Sequence, residues 1–259
     1  MPNNLCEYVT PSLQNLARLR PLTHCLTNEV VQEITANVLL ATGASPAMVV
    51  GKEEAGDFAR IAQGLLVNLG TPYPERLEAM RCAIKNAQET GHPWVLDPVA
   101  AGATPWRNEI MKEFVALKPN IIRGNASEIL ALAGFASQGK GVDSQDSTES
   151  AVEAAKQLVD LTGGVVFITG TVDKVVDKSQ VISIQGGVEL TTLVVGTGCA
   201  LSALTAALAA VAPSLTEAAV AASYLCKEAA TRAYDKTQSP GSFHVAYLDA
   251  LYEIMKDFA

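Results

Sequence analysis

The stretch GLLVNLGTPYPERLEAMRCAIKNAQETGHPWVLDPV, residues 64–99, contains a complete strand–helix–strand pattern. Two short apolar runs, Gly64–Leu69 and Trp94–Leu96, flank the helical pattern Pro74–Thr90. Apolar runs without alternation are typical of strands that are buried on both faces of a parallel sheet. The stretch therefore predicts a β-α-β unit with its helix packed against the sheet.

The same alternation of strand and helix patterns continues on both sides of this unit. Further strand patterns are Ala47–Val50, Asn120–Arg123 and Val165–Thr169, and further helical patterns are Val30–Ala41, Glu53–Gln63, Glu109–Phe114 and Ala126–Ala133. We therefore expect an α/β fold with a central, mostly parallel sheet flanked by helices.

The rhythm changes in the last third of the chain. Valines and isoleucines alternate within Lys174–Leu193, which predicts antiparallel edge strands. Helical patterns then cover Gly198–Val211, Leu215–Lys236 and Val245–Phe258. With no internal repeat or low-complexity linker in the sequence, we expect a single domain spanning residues 1–259.

One polar, loop-like stretch, Ala136–Ser150, interrupts the middle of the chain. Asp146 and Glu149 stand three residues apart, which is the spacing of a capping box. The pattern predicts a helix over about Thr148–Leu161.

Composition excludes several classes of protein. The formal net charge is −8, which disfavours nucleic-acid binding by phosphate neutralisation and electrostatic membrane binding. Five scattered cysteines without a C-x-x-C pair indicate a reducing compartment. The start of the chain lacks a signal-peptide pattern, and the apolar run Ala200–Ala212 is too short to span a bilayer. We expect a cytoplasmic protein.

The stretch Val194–Ala200, VVGTGCA, predicts an anion site. A strand is expected to end there, and two glycines lead into a helix whose first amides have no intrahelical partner. The backbone amides of Gly196, Thr197 and Gly198 could therefore hold an anion without a basic side chain. Alternatives are a plain turn and a dinucleotide fingerprint, but Leu201 occupies the third glycine position of that fingerprint.

Other motifs for nucleotide, metal or acyl chemistry are absent from the sequence. Gly51-Lys52 lacks the remaining elements of a Walker A loop, the histidines form no metal-ligand pair, and no G-x-S-x-G is present. Cys199 lies at the start of the helix, a position that lowers a thiol pKa and modestly favours a functional role over that of a small packing residue.

Polar residues follow three other predicted strands. Asp97 ends one strand and could face a ligand or form a turn. Arg123 ends another and suits a phosphate, while the adjacent Asn125 and Glu128 have the spacing of a capping box. Thr169, followed by glycine, could contact a ligand or make a turn.

The order of these pieces resembles the ribokinase-like superfamily, and more narrowly the hydroxyethylthiazole kinase family. The most similar stretches are HCLTN (24–28), GASPAM (43–48), LDPV (96–99), RGNASE (123–128) and GTGC (196–199). The resemblance covers nearly the whole chain. It implies a three-layer ribokinase-like fold and ATP-dependent phosphorylation of the hydroxyl of 4-methyl-5-(2-hydroxyethyl)thiazole in thiamine biosynthesis or salvage.

The resemblance also assigns ligand-binding roles. It implies that Met48, Gly196 and Asn28 bind the thiazole and that Arg123 and Thr169 bind ATP.

A metal and an assembly are implied in the same way. Asp97 and Glu128 are expected near Mg²⁺ and the phosphates, with Glu128 acting through water. Members of the family are homotrimers with sites between subunits, which would place the Asn28 segment of one subunit beside its neighbour's pocket.

The catalytic base is the open point. Most related sugar kinases have Asp at the fourth position of G-x-G-D, where this chain has Cys199. Cys199 could therefore be a weak base or could only shape the pocket, and we expect the anion hole to outweigh it. Alternatives are a hydroxymethylpyrimidine kinase, a non-catalytic nucleotide-binding protein and a Rossmann dehydrogenase.

Overall fold

The computed structural model describes residues 3–136 and 148–259. The strands are β1 (Leu22–Leu26), β2 (Ser45–Ala47), β3 (Gly64–Asn68), β4 (Trp94–Asp97), β5 (Ile121–Asn125), β6 (Val165–Thr169), β7 (Asp173–Val176) and β8 (Val181–Ile184). They form one eight-stranded sheet in the order β2-β1-β3-β4-β5-β6-β7-β8. The pairs from β2 to β6 are parallel, and β6-β7-β8 is antiparallel.

Helices flank this sheet. They are α1 (Asn3–Leu19), α2 (Gln32–Ala41), α3 (Ala55–Ile61), α4 (Pro74–Thr90), α5 (Pro105–Ala116), α6 (Ala126–Ala136), α7 (Thr148–Thr162), α8 (Thr197–Ala209), α9 (Leu215–Lys236) and α10 (Pro240–Met255). Two short 3₁₀ helices cover Glu189–Leu193 and Lys256–Phe258.

Alternate residues of the central strands enter two separate apolar cores. Leu66 packs into a core with residues of α1, α2, α8, α9 and α10. Leu65 and Val67 pack into a second core, with residues of α4 to α7. Both faces of the sheet are therefore covered, and the prediction of a mostly parallel sheet flanked by helices is confirmed.

Most predicted elements are present, including α4 with the predicted bounds, the antiparallel strands β7 and β8, and α7. The predicted cap at Asp146 lies outside the described residues. The sequence interpretation missed α1 and β1.

Two predicted strands are wrong. Within Ala47–Val50 only Ala47 belongs to a strand, and the segment is half-buried, because the Val49 carbonyl is hydrogen-bonded to Nε2 of His24 (2.7 Å) instead of a neighbouring strand. The segment before Gly196 is the 3₁₀ helix Glu189–Leu193, closed locally by a bond from the Val194 amide to the Thr191 carbonyl (3.3 Å).

Candidate active site

The N-terminus of α8 is built around Gly196. Its φ of +89° is in the left-handed region, and a Cβ there would lie 2.5 Å from Cγ2 of Ile34 and 2.9 Å from Cγ1 of Val31. Only glycine satisfies both the conformation and the close packing against α2. The chain therefore turns sharply into α8, whose first amides point away from the helix.

Three of the predicted site residues meet at this helix start. The Arg123 guanidinium, from β5, lies within 3.1 Å of the position that a Cβ on Gly198 would occupy. Its Nη2 donates a hydrogen bond to Oγ1 of Thr169 (3.0 Å), which is at the end of the adjacent β6. A cation, a hydroxyl and the positive end of a helix thus converge, and this combination favours an anion.

The Thr197 side chain has a different role from its amide. Its hydroxyl donates to the Thr191 carbonyl at 3.0 Å and thereby ties the 3₁₀ helix to the start of α8.

A chain of buried polar groups extends from Cys199 to Asp97. Asn28 Nδ2 donates to Cys199 Sγ (3.4 Å) and to Asn68 Oδ1 (3.0 Å), and Asn68 Nδ2 donates to Asp97 Oδ2 (2.7 Å). Asn28, Asn68 and Asp97 are all buried. The predicted residues Asn28, Cys199 and Asp97 are therefore connected within one chain.

The position of the Asn28 segment relative to a neighbouring subunit stays a prediction, because the structure is that of a single chain. The resemblance implied that it would lie beside a neighbouring subunit's pocket. In the structure the Asn28 side chain is buried in its own chain and contacts its own Cys199.

Sequence reasoning missed Asn68. It is the last residue of β3 and lies in register with Asp97 of β4. The available signal was a polar residue near the end of an otherwise apolar run, the same signal that singled out Asp97.

The two titratable groups of this network have raised pKa values. Burial raises the pKa of Asp97 to about 6, against the opposing charge of Arg123. Burial, and then the charge of Asp97, raises the pKa of Cys199 to about 11. The expected lowering of the thiol pKa is therefore wrong, because desolvation outweighs the helix terminus and leaves Cys199 protonated at neutral pH.

Asn125 and Glu128 form the reciprocal capping box that their spacing predicted. The Glu128 amide donates to Asn125 Oδ1 (2.9 Å), and the Asn125 amide donates to Glu128 Oε2 (2.9 Å). Glu128 Oε1 also accepts from the amide of Ala100 (3.0 Å), whose φ is +59°. Glu128 thus fixes the loop that follows Asp97, and its charge lies close enough to raise the Asp97 pKa.

Met48 lies in the loop after β2. It is half-buried and packs against the apolar core to which Val31 and Ile34 belong, the two residues that also surround Gly196. Met48 and Gly196 therefore both lie against the core to which Val31 and Ile34 belong.

A cavity of about 640 Å³ opens beside the start of α8. Its polar side is lined by Arg123, Asn125, Thr169, Thr197 and Gly198. The remaining wall was not found from the sequence; it is lined by residues of the β6–β7 turn, the Gly186–Thr192 segment, Leu201 and the helices α9 and α10. Met48, Asn28, Gly196, Cys199, Asp97 and Glu128 are outside this lining. The predicted residues therefore divide into those that line the cavity and those that do not, and the latter include the network of Asn28, Cys199 and Asp97.

The fold is of the ribokinase-like class. A ribokinase-like superfamily protein from Enterococcus faecalis superposes with a TM-score of 0.65 over 92% of this chain and 87% of its own, at 13% identity. The family can be stated more narrowly: the model of the hydroxyethylthiazole kinase family matches residues 13–257, and the chain belongs to that family.

Individual relatives agree with this assignment. A hydroxyethylthiazole kinase from Citrobacter koseri is 52% identical over 243 residues, covering 94% of this chain and 93% of the relative. The structure of a hydroxyethylthiazole kinase protein from Pyrococcus horikoshii superposes with a TM-score of 0.89 at 36% identity, covering 95% and 93% of the two chains.

The resemblance read from the sequence is therefore confirmed at the level of fold, family and reaction. The chain is a kinase of the thiazole alcohol in thiamine salvage, with ATP as co-substrate. The hydroxymethylpyrimidine kinase and dehydrogenase alternatives are set aside. Among the described residues, no helix combines the length and the hydropathy needed to cross a bilayer.

Proposed function

We propose that this chain transfers the γ-phosphoryl group of ATP to the hydroxyl of 4-methyl-5-(2-hydroxyethyl)thiazole at the start of α8. The observation that carries this proposal is the convergence of Arg123, Thr169 and Gly198 at the polar side of the cavity. Phosphoryl transfer needs mainly positioning and charge stabilisation, which this arrangement supplies.

The cavity favours one orientation of the nucleotide. Leu201, Cys226, Ala230 and Tyr247 make part of its wall apolar and suit the base, whereas Arg123 lies among the polar residues and suits the phosphates. ATP would thus lie with its terminal phosphate toward α8. The thiazole would bind on the other side of the helix start, against Met48, Gly196 and Asn28.

The first amides of α8 would act as the anion hole. Amides already fixed by the turn at Gly196 stabilise developing charge without reorganisation. Cys199 is protonated at neutral pH, so its thiol is not available as a general base. A loose transition state for phosphoryl transfer needs little help from a general base. We assign Cys199 mainly to the shape and polarity of the pocket, close to the reacting hydroxyl.

The donor set beside this site fits Mg²⁺. No group of three or more His, Cys, Asp or Glu residues within 3–136 and 148–259 could hold a metal unaided. Mg²⁺ in kinases is usually held by one or two carboxylates together with phosphates and waters. Asp97 fits direct contact and Glu128, with both oxygens bonded to amides, fits contact through water. When bound, the ion would neutralise phosphate charge.

The remaining expectations are part of the same proposal. We infer a single domain, a homotrimer and a cytoplasmic location, with no nucleic-acid or membrane partner. The net charge of −8 supports the absence of a nucleic-acid or membrane partner.

Release of ADP by the purified protein tests the proposal. We expect turnover with ATP, Mg²⁺ and the thiazole alcohol, and none with 4-methyl-5-ethylthiazole, which lacks the accepting hydroxyl. Binding of ATP without turnover of the alcohol would instead indicate a non-catalytic nucleotide-binding protein.

A further inference from the structure

We propose that Lys227 of α9 is a positioning residue for the nucleotide, which it serves by holding two loops of the cavity wall in place. This inference rests on the proposed function, because it assigns ATP to the cavity. The two loops are the β6–β7 turn, which contains Gly170 and Thr171, and the Gly186-Gly187 segment after β8.

The Lys227 ammonium is surrounded by fixed oxygen atoms. Its Nζ donates to the carbonyls of Gly170 (3.1 Å), Thr171 (3.2 Å) and Gly186 (2.9 Å), and it pairs with Asp173 Oδ1 at 3.2 Å. An ammonium has three N–H donors, and the three carbonyls occupy them, while Asp173 supplies the opposite charge. The side chain is 12% exposed. Lys227 therefore holds protein backbone and has no donor left for a phosphate.

The Gly186-Gly187 segment gains most from such a partner. Gly186 and Gly187 have φ values of +107° and +77°, which glycine adopts without strain, but glycine loses more conformational freedom on ordering than any other residue. The Lys227 stem lies under this segment, since its Cγ is 3.2 Å from the position of a Cβ on Gly187. The ammonium and the stem thus fix the Gly186-Gly187 segment from one side.

Asp173 completes the connection between the β6–β7 turn and α9. Its Oδ1 accepts from the Gly170 amide (3.0 Å) and its Oδ2 accepts from Ser223 Oγ (2.7 Å), one helical turn before Lys227. The Asp173 side chain is 5% exposed, so its charge depends on Lys227 for neutralisation. The pair joins β7, both loops and α9 into one wall.

Replacement of Lys227 by Met keeps the stem and removes every ammonium bond. The apparent affinity of a site falls in proportion to the fraction of molecules in the binding-competent form. If the two loops are correctly placed in about a tenth of the molecules, the KM for ATP rises about 10-fold. We expect that increase in Lys227→Met, with kcat and the KM for the thiazole alcohol changed less than about 3-fold. The Kd of a non-hydrolysable ATP analogue should rise in parallel.

Lys236→Met is the matched control. Lys236 is on the same helix and pairs with Glu253 at 3.2 Å, but its side chain is 47% exposed and it is outside the cavity lining. We expect wild-type kinetics from this variant.

A double variant separates positioning from stability. Lys227→Met alone leaves a buried, unpaired Asp173 carboxylate, which lowers the free energy of unfolding. Asp173→Asn combined with Lys227→Met removes that charge, so we expect stability to recover while the KM for ATP stays raised.

Two results would overturn the inference: a return of the KM for ATP to the wild-type value in the double variant, or an equal rise in the KM for the thiazole alcohol. The analogue-binding measurement is independent of turnover. If wild-type protein bound the analogue but did not phosphorylate the alcohol, the proposed function would fail, and weaker analogue binding in Lys227→Met would still support Lys227 as a positioning residue.

Discussion

At the residue scale, Cys199 shows how burial decides the chemistry of a side chain. It lies at a helix N-terminus, yet its pKa is raised to about 11. A thiol that stays protonated contributes little as a base, so we expect Cys199→Ala to lose less than the about 10²- to 10⁴-fold in kcat that is typical of general-base removal.

Loss of an amide from the anion hole should cost more. Gly198→Pro removes one N–H beside Arg123, and we expect kcat to fall about 10²- to 10³-fold. Gly198→Ala keeps the amide and adds only the Cβ, 3.1 Å from Arg123 Nη1, and is the control for crowding. Steady-state kinetics on the three variants checks the order. A loss in Cys199→Ala as large as that in Gly198→Pro would make the thiol the dominant group.

Asp97 gives a second prediction at the residue scale, which concerns the pH dependence of the free energy of unfolding. Its pKa is raised to about 6 in the folded chain, so the folded state binds more protons than the unfolded state between about pH 4 and pH 6. Stability from this group is therefore present at low pH and is lost as pH rises through 6. We expect Asp97→Asn to be more stable than wild type at pH 7, by roughly 3 kcal/mol, and equally stable near pH 4.

Urea denaturation of both proteins at the two pH values measures this difference, and wild type being the more stable at pH 7 would refute it. The same variant should be a poor kinase, because Asp97 is proposed to contact the metal. Gain of stability with loss of activity is the pattern of a functional carboxylate held in an unfavourable environment.

At the scale of elements, the turn into α8 depends on Gly196. In Gly196→Ala, the alanine would have to adopt a left-handed φ, and its Cβ would lie 2.5 Å from Cγ2 of Ile34. We expect it to lower the free energy of unfolding by about 3 kcal/mol or more, the sum of backbone strain and overpacking. Gly91→Ala isolates the backbone strain, because Gly91 has a φ of +75° and a Cβ added there would meet open space. This substitution should cost about 1 kcal/mol.

Chemical denaturation of the two alanine variants gives the comparison. Equal losses would mean that α2 shifts to admit the methyl group at residue 196. In that case the close packing of α2 on the helix start would not fix the anion hole.

Whether a strand could be predicted from the sequence depends on where its polar side chains find their hydrogen-bond partners. The central strands β3 to β6 are nearly continuous apolar runs and could be found from the sequence. β1 reads LTHCL and could not, since its buried His24 bonds to the carbonyl of Val49 in a distant loop. Such a partner is visible only after folding.

The candidate site divides in the same way. Arg123, Thr169 and Gly198 follow from the rule that parallel strands end at one edge, where helix starts also lie. Lys227 does not, because its role consists of contacts made from a remote helix. Asn68 is also at a strand end and carried the same signal as Asp97, but its link between Asn28 and Asp97 is visible only in the fold. The sequence therefore predicts positions at strand ends and misses the contacts that hold them.

At the scale of the whole molecule, an acidic protein binds a polyanion by local means. The net charge is −8, yet the proposed ATP site has one arginine, a threonine hydroxyl and a helix terminus at its polar side. Of the two carboxylates in the cavity lining, Asp173 and Glu189, the first is paired with Lys227, and solvent screens the acidic groups outside the lining. The acidity that disfavours long nucleic acids is thus compatible with a nucleotide in a pocket.

The expected homotrimer also has a surface that could form it. Val30 is 65% exposed two residues after Asn28, and Leu193 and Val195, immediately before Gly196, are 69% and 67% exposed. Val31 and Ile34 pack against Gly196, so the segments that carry Val30 and Val195 are adjacent. Exposed apolar groups gathered beside a site are typical of an interface.

We therefore expect the wild-type chain to sediment at three times its 27.2 kDa mass and Val195→Asp to sediment as a monomer. Ile61→Asp, at a residue of α3 that is 59% exposed, is the matched control and should remain trimeric. A monomeric wild type, or a trimeric Val195→Asp, would exclude this surface as the interface. Because Val195 adjoins Gly196, we expect kinase activity to fall when the trimer dissociates. The contact between Asn28 and Cys199 would remain, since it is made within one chain.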